Sequence, residues 1–334
     1  MRRLELILSR LAWFIPTLVG LTVIIFTVSH IIPTDPVRIL AGENATAEQI
    51  EALRVELGYD KPLPVQLLSY FRDVATGNLG VSIYTKRSIA ETMWHRLPAT
   101  LELTFAAIFL SVVFGIPLGV LSALRRNSLF DHCLRVVTVS GLAVASFWLA
   151  MELQFLFSMK LAIAPLNGRI AGFGPDEVTG FMIVDSLIAG DLPMLGLVLS
   201  HLALPAVTLA LPAAATIVRF TRAGVLDVIN SSFVLYARAM GIPWSLIVWK
   251  YVLRNALIST VTQIGLIFGV LLSGAVVIET VFDWPGLGAY AVNSILQSDY
   301  KSIMGFTLWT GAMFVIVNLL VDILHTLIDP RSNR

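Results

Sequence analysis

Five histidines, a single cysteine and a few acids set in apolar surroundings are the residues of this sequence whose types could do chemistry. Imidazoles can ligate transition metals, but His30, His95, His132, His201 and His325 make no close cluster along the chain. His201, in the middle of an apolar run, is the one candidate ligand, and a hydrogen-bonded packing role is the alternative. Cys133, beside His132, excludes a disulfide framework and a thiolate metal cluster by being alone. Glu102, Glu152 and Glu279 lie in or beside long uncharged stretches, and Asp322 has His325 one turn later. A charge at the centre of a bilayer costs at least about 2.5–3.5 kcal/mol, so each acid needs a partner, a cap or a function. Glu102 suits capping or pairing with Arg96. Glu152 suits either a contact to a cationic or amine group or a polar packing contact. Asp322 suits a solvated or Arg-paired helix end. The sequence contains no GxSxG elbow, no HExxH pair and no GxxxxGK[ST] loop, so it offers no nucleophile, zinc site or ATP phosphate cradle of its own.

The elements that must position these residues follow from composition. Of 334 residues, 57% are hydrophobic and 13% charged, against roughly 45–50% and about 25% for a soluble domain. The net charge of +1 leaves no basic excess for nucleic acid. Helices cross about 30 Å of hydrocarbon with roughly 18 or more apolar residues. Six uncharged runs are long enough: 11–32, 103–124, 136–159 with Glu152 as its only interruption, 192–218, 255–278 and 302–321. The first has 22 uncharged residues and no small-x-small site after it, so it reads as an uncleaved span. The prediction is an all-α integral membrane chain of six transmembrane helices. Cytoplasmic N and C termini follow because Arg125 and Arg126 directly end the second span while the outer loop near 283–301 has only Lys301. Thirteen Lys and Arg then fall inside and ten outside.

This divides the chain into an N-terminal tail and first span (1–32), an extracytoplasmic, partly helical region (33–96) and a five-helix core (97–334). In 33–96, Thr46-x-x-Gln49 and Ser88-x-x-Glu91 fit capping boxes and Gly58 suits a helix C-terminus. The outer loop 160–191 is rich in Gly and Pro and reads as a projecting lobe. The inner loop 219–254 reads as a continuation of the fourth span to Ser231 and Ser232, a short helix stopped at Gly241-Ile242-Pro243, and a second helix carrying Trp244, Trp249 and Lys250. Such a helix is either a docking surface for a partner protein or an interfacial helix on lipid headgroups. Two small-residue stripes, Gly115 with Gly119 and Gly265 with Gly269 and Ser273, let backbones approach closely, within this chain or against a partner or pathway.

Ala237-Arg238-Ala239-Met240-Gly241, followed by Leu253-Arg254-Asn255-Ala256-Leu257, resembles the cytoplasmic EAA loop of ABC-importer permeases. Leu235 in place of Glu and Arg254 in place of Pro are the form found in the dipeptide, oligopeptide and nickel branch. Arg96-Leu-Pro-Ala-Thr-Leu-Glu102, Gly115-Ile-Pro-Leu-Gly119, Glu279-Thr-Val-Phe-Asp-Trp-Pro-Gly-Leu-Gly288, Asp299-Tyr300 and the run from Asp322 through Asp329-Pro330-Arg331 are similar to that family too. The resemblance implies a type I importer permease fold in a bacterial inner membrane. It implies a second, homologous permease, two ATPase subunits that bind ATP and Mg, and an extracytoplasmic solute-binding protein as partners, with no cofactor on this chain. Tyr236, Ala237, Arg238, Ala239, Gly241, Pro243 and Trp244 would couple to the ATPases. Asn167, Arg169, Phe173 and Asp176 would meet the binding protein, and Glu102, Glu152, His201 and Glu279 are the pathway candidates. The cargo stays open among dipeptides, longer peptides, glutathione-like peptides, opine-like conjugates and nickel chelates. A stand-alone secondary transporter with helices broken at Pro117, Pro205 and Pro212 is the competing class, although no inverted repeat is visible.

Overall fold

The computed structural model describes residues 2–31, 36–42, 45–56, 58–172 and 174–328. Helices α1 (Arg2–Ile31), α2 (Pro36–Ala41), α3 (Ala47–Glu56) and α4 (Leu63–Ala75) precede the long α5 (Ile89–Leu124). Then come α6 (Leu129–Ala143), α7 (Ser146–Leu153) with a π-helical extension over Gln154–Lys160, α8 (Met182–Ala189) and the 38-residue α9 (Leu192–Ile229). The chain finishes with α10 (Ser232–Ala239), α11 (Trp244–Leu246), α12 (Leu253–Val281), α13 (Leu287–Leu296) and α14 (Tyr300–Ile328). The β structure among the described residues is one isolated antiparallel bridge, Val81 to Ser88.

By length and composition, four described helices can cross a bilayer: Ile89–Leu124, Leu192–Ile229, Trp244–Leu272 and Tyr300–Val317. The third expected span, 136–159, is not one rod. Val144 and Ala145 take ψ values of 129 and 128, the helical ladder lapses, and the pair Leu129–Ala143 and Ser146–Lys160 is bent by 104°. It makes a fifth span if the bent pair counts as one. Helix α1, Arg2–Ile31, carries the first uncharged run, which starts at residue 11, to the helix end. The fifth expected span, 255–278, begins earlier than its uncharged run. The helix starts at Trp244 and passes through a π segment, Ile247–Val252, into α12. Nor are helices broken at Pro117, Pro205 or Pro212, because α5 and α9 run through all three. Packing on neighbouring helices overrides the cost of the missing N–H groups.

The chain forms two compact units. The first holds Met1–Leu97 and Tyr290–Ile316. In it, the Thr46 capping box closes as expected: the Thr46 N–H donates to Gln49 Oε1 at 2.9 Å and the Gln49 N–H to Thr46 Oγ1 at 3.3 Å. Asp299 there accepts from the hydroxyls of Ser82 and Ser302, and the Tyr290 phenol donates to Ser302.

The second unit, Pro98–Ala289 with Val317–Arg334, is organised around α9. Leu202, Leu209 and Ala213 on α9 bury against Leu103 and Ala107 of α5 and Leu271 and Ala275 of α12. Close van der Waals packing of these side chains holds the three helices together, since lipid leaves no hydrophobic drive between them. The Gly115 and Gly119 stripe on α5 faces α9: a Cβ at Gly119 would lie 2.7 Å from Thr221 Cβ and 2.9 Å from the Val218 carbonyl oxygen. A backbone oxygen cannot step aside. Gly119→Leu should therefore cost about 1–3 kcal/mol and lower the unfolding temperature in detergent, while Gly196→Ala, with nothing within 4 Å of its added carbon, should leave it nearly unchanged.

Candidate functional site

Glu102 and Ser122 both belong to α5, twenty residues apart, which at 1.5 Å per residue separates them by about 30 Å. That is roughly the hydrocarbon thickness. A buried polar cluster gathers around each of them in the second unit.

At the Glu102 level, the carboxylate is 4% exposed and fully used. It accepts from Arg169 Nε at 3.0 Å, from Arg169 Nη2, and from the Ile183 N–H at the start of α8 at 2.7 Å. Arg169 also donates to the Gly180 carbonyl at 2.9 Å and lies over the Trp284 ring. The partner of Glu102 is thus Arg169, across 67 residues, where the sequence suggested Arg96; Arg96 lies 5.4 Å over the Tyr290 ring. Glu279 is completely buried. It accepts the Thr100 hydroxyl at 2.6 Å and the N–H groups of Gly288 and Ala289 at 2.7 and 3.0 Å, so it caps α13. An anion at that position also suits the helix dipole. Gly286 must be glycine because a side chain there would fall onto the Glu279 carboxyl.

These contacts fasten the loop 160–191 down. The Gly168 N–H donates to the Phe282 carbonyl at 2.8 Å, and the Trp284 indole N–H to the Ala99 carbonyl at 2.8 Å. Asp185 holds the loop's far part: it accepts from the Thr179 N–H and hydroxyl and the Gly180 N–H. Burial alone would push its carboxyl up, but these bonds outweigh it and hold Asp185 below the ordinary value. Asn167 and Asp176 are exposed, and Phe173 lies outside the described residues.

The other pathway candidates differ. His201 is buried, with Nδ1 3.0 Å from the Leu197 carbonyl oxygen, a packing contact within α9. Glu152 on α7 is exposed and carries no ion pair among the described residues. No group of three His, Cys, Asp or Glu side chains among the described residues is placed to hold a metal. The side chains of Asp322 and His325 lie outside the described residues.

At the Ser122 level, Asp131 is fully buried and receives a two-pronged bond from Arg222, Nε at 2.7 Å and Nη2 at 2.9 Å. The Ser122 hydroxyl at 2.6 Å and the Asn127 N–H at 3.1 Å complete its shell. This fork joins the α5–α6 turn to the end of α9, and the sequence gives no hint of it beyond two charges 91 residues apart.

Beyond Arg222, α9 ends and α10 folds back. Val234 and Ala237 are buried with Val225, Val248 and Val252, and the rest of α10 is exposed. Gly241, at φ +71, ends it in a Schellman turn: the Gly241 N–H bonds Arg238 O and the Ile242 N–H bonds Ala237 O. Pro243 then precedes α11, and the Arg238 guanidinium stacks 4.0 Å from the Trp244 ring centroid. Leu235, Tyr236, Met240, Trp244 and Trp249 stand exposed around this turn, whereas Ala237 faces inward.

Buried acids that serve the fold, helices of bilayer length and an exposed aromatic turn are the features of a multi-span membrane protein. Residues 115–334 match the family model of the binding-protein-dependent transport system inner membrane component, and residues 3–104 match the model of its N-terminal region. The chain belongs to that family. It is 43% identical over 331 residues to the probable D,D-dipeptide transport system permease protein DdpB of Escherichia coli K12, covering 98% of this chain and 97% of that one. It is 38% identical to the dipeptide permease protein DppB of the same strain, over 98% of both chains. The glutathione permease protein GsiC of Pectobacterium atrosepticum is also 38% identical, over 98% of both. A solved chain of the MetNI methionine ABC transporter, in inward-facing conformations, shares the fold with a TM-score of 0.55 at 18% identity, covering 71% of this chain and 96% of that one.

Two outcomes follow for the loop. Arg169→Met should leave Glu102 buried and unpaired, cost about 3–5 kcal/mol and make residues 160–191 accessible to limited proteolysis. Because the folded Asp185 carboxyl sits below its unfolded value near 3.8, its contribution is complete above that value and is lost as pH falls through the folded one. Hydrogen exchange at Thr179 and Gly180 should therefore quicken on acidification, and Asp185→Asn should exchange quickly at every pH.

Proposed function

We propose that this chain is one of two permease subunits of an ATP-driven importer of di- or oligopeptides, with six spans and both termini in the bacterial cytoplasm. The peptide names of the relatives support the cargo. The single observation that carries the coupling role is α10: half buried through Val234 and Ala237, ended by Gly241, and surrounded by exposed aromatic and aliphatic side chains. A surface of that kind on a helix tied to α9 both docks a partner and passes its motion on. Tyr236, Arg238, Ala239, Pro243 and Trp244 would meet the ATPase subunits, which bind ATP and Mg, while Ala237 anchors the helix. The Asp131–Arg222 fork would carry the push from α9 to α5 and α6.

On the opposite face, Asn167 and Asp176 would touch the solute-binding protein, with Arg169 holding the loop in place through Glu102. Glu152, exposed and unpaired, is the acid left for the pathway or the second permease. The continuous α9 argues against a stand-alone transporter with broken helices.

The test is reconstituted transport with the full complex. Gly241→Pro and Arg238→Glu should cut peptide uptake at least about tenfold, the equivalent of 1.4 kcal/mol of lost coupling, with membrane insertion and assembly unchanged. Retained uptake in both variants refutes the placement. For the loop, Asn167→Ala with Asp176→Ala should abolish binding-protein stimulation of ATPase activity. Deleting residues 167–176 is the poorer test, because it also strands Glu102.

A further inference from the structure

The first unit contains a cavity of about 1250 Å³ that the transport reading does not use. It opens between the end of α1, at Phe26 and His30, the residues around α4, and the first turn of α14, at Lys301 and Met304. Both flanking helices have their polar ends there: α1 stops at Ile31 with His30 in its last turn, and α14 begins at Tyr300 with Lys301 next to it. The cavity therefore lies where hydrocarbon gives way to headgroups. Aromatic side chains concentrate at that depth in membrane proteins, and Tyr59, Tyr70 and Tyr300 line the space, while Trp94 of the same unit is 62% exposed.

Its walls are of two kinds. Four cations, Arg54, Lys61, Arg72 and Lys301, face two acids, Glu56 and Asp73. Arg54 is engaged by Glu51 at 3.5 Å. Lys61, Arg72 and Lys301 make no ion pair within 4.0 Å among the described residues, with Asp73 and Asp299 the acids that act on Lys301 from farther away. Beside them, α4 is amphipathic and leaves Leu63, Val65 and Leu68 uncovered, Leu68 to 71%. An apolar face bordered by cations is how a helix lies in the headgroup layer.

We propose that this cavity binds an anionic phospholipid, its phosphate between Arg72, Lys61 and Lys301 and its acyl chains along Leu68 and Met304. A free anion would satisfy the cations and leave the apolar wall wet. A zwitterionic lipid would cover the wall but carry no net charge to the cations. Only a lipid with net negative charge uses both. Because Arg72 and Lys301 come from α4 and α14, the bound phosphate would also tie the segment following the first span to the last span.

The experiment is native mass spectrometry of the purified full-length chain in detergent, titrated with phosphatidylglycerol, with phosphatidylcholine of the same acyl chains, and with inorganic phosphate. Each cation near an anionic headgroup contributes roughly fivefold. Phosphatidylglycerol should thus bind about tenfold or more tightly than phosphatidylcholine, and Arg72→Gln with Lys301→Gln should bring the ratio close to one. If that double variant does not fold, Lys61→Gln, at an exposed position, should still reduce the ratio severalfold. Equal binding of the two lipids, a preference that survives the substitutions, or displacement of phosphatidylglycerol by equimolar inorganic phosphate would each overturn the proposal, the last by showing a simple anion site.

Discussion

An ionised carboxylate taken out of water must find its full set of donors inside the protein, and this fold depends on three that do. Glu102, Asp131 and Glu279 are each buried, and each joins segments far apart in sequence. Glu102 draws in the loop through Arg169 and the first turn of α8. Glu279 connects the end of α12 to the beginning of α13 and to Thr100 on α5. Asp131 binds the α5–α6 turn to α9. In lipid the surroundings are as oily as the core and the drive to bury hydrocarbon is gone, so helix pairing rests on close packing and on polar contacts such as these. The carboxylates near the two ends of α5 help to fix which helix lies beside which.

Much of this architecture was legible in one sequence. Uncharged runs locate helices because hydrocarbon tolerates nothing else, and the glycine spacing on α5 correctly marks a close helix contact, here within the chain. Gly241 and Pro243 read as a break because one supplies a left-handed residue and the other lacks an N–H. The family blocks around Glu102, Gly241 and Glu279 also stand out in the sequence.

Other features have no local signature. The bend between α6 and α7 occurs at Val144 and Ala145, with no proline, so the apolar run passes over it unmarked. The partners of Glu102 and Asp131 lie 67 and 91 residues away. Any of several arginines could have filled those roles, and only the folded backbone selects Arg169 and Arg222. The same selection gives Glu102 and Glu279 hydrogen-bond partners inside the protein and leaves Glu152 exposed.

The π segments at Gln154–Lys160 and Ile247–Val252 give this frame one more property. A π turn accommodates an additional residue, and in an α-helix each residue advances the face by about 100°. Between Trp244 and α12, the wide turn therefore acts as a register mark. Tightening it to α geometry would swing the aromatic face at Trp244 around the helix axis by about one residue's rotation, while leaving the anchored part of α12 where it is. The direction in which the exposed turn points is thus set by the winding of this short segment.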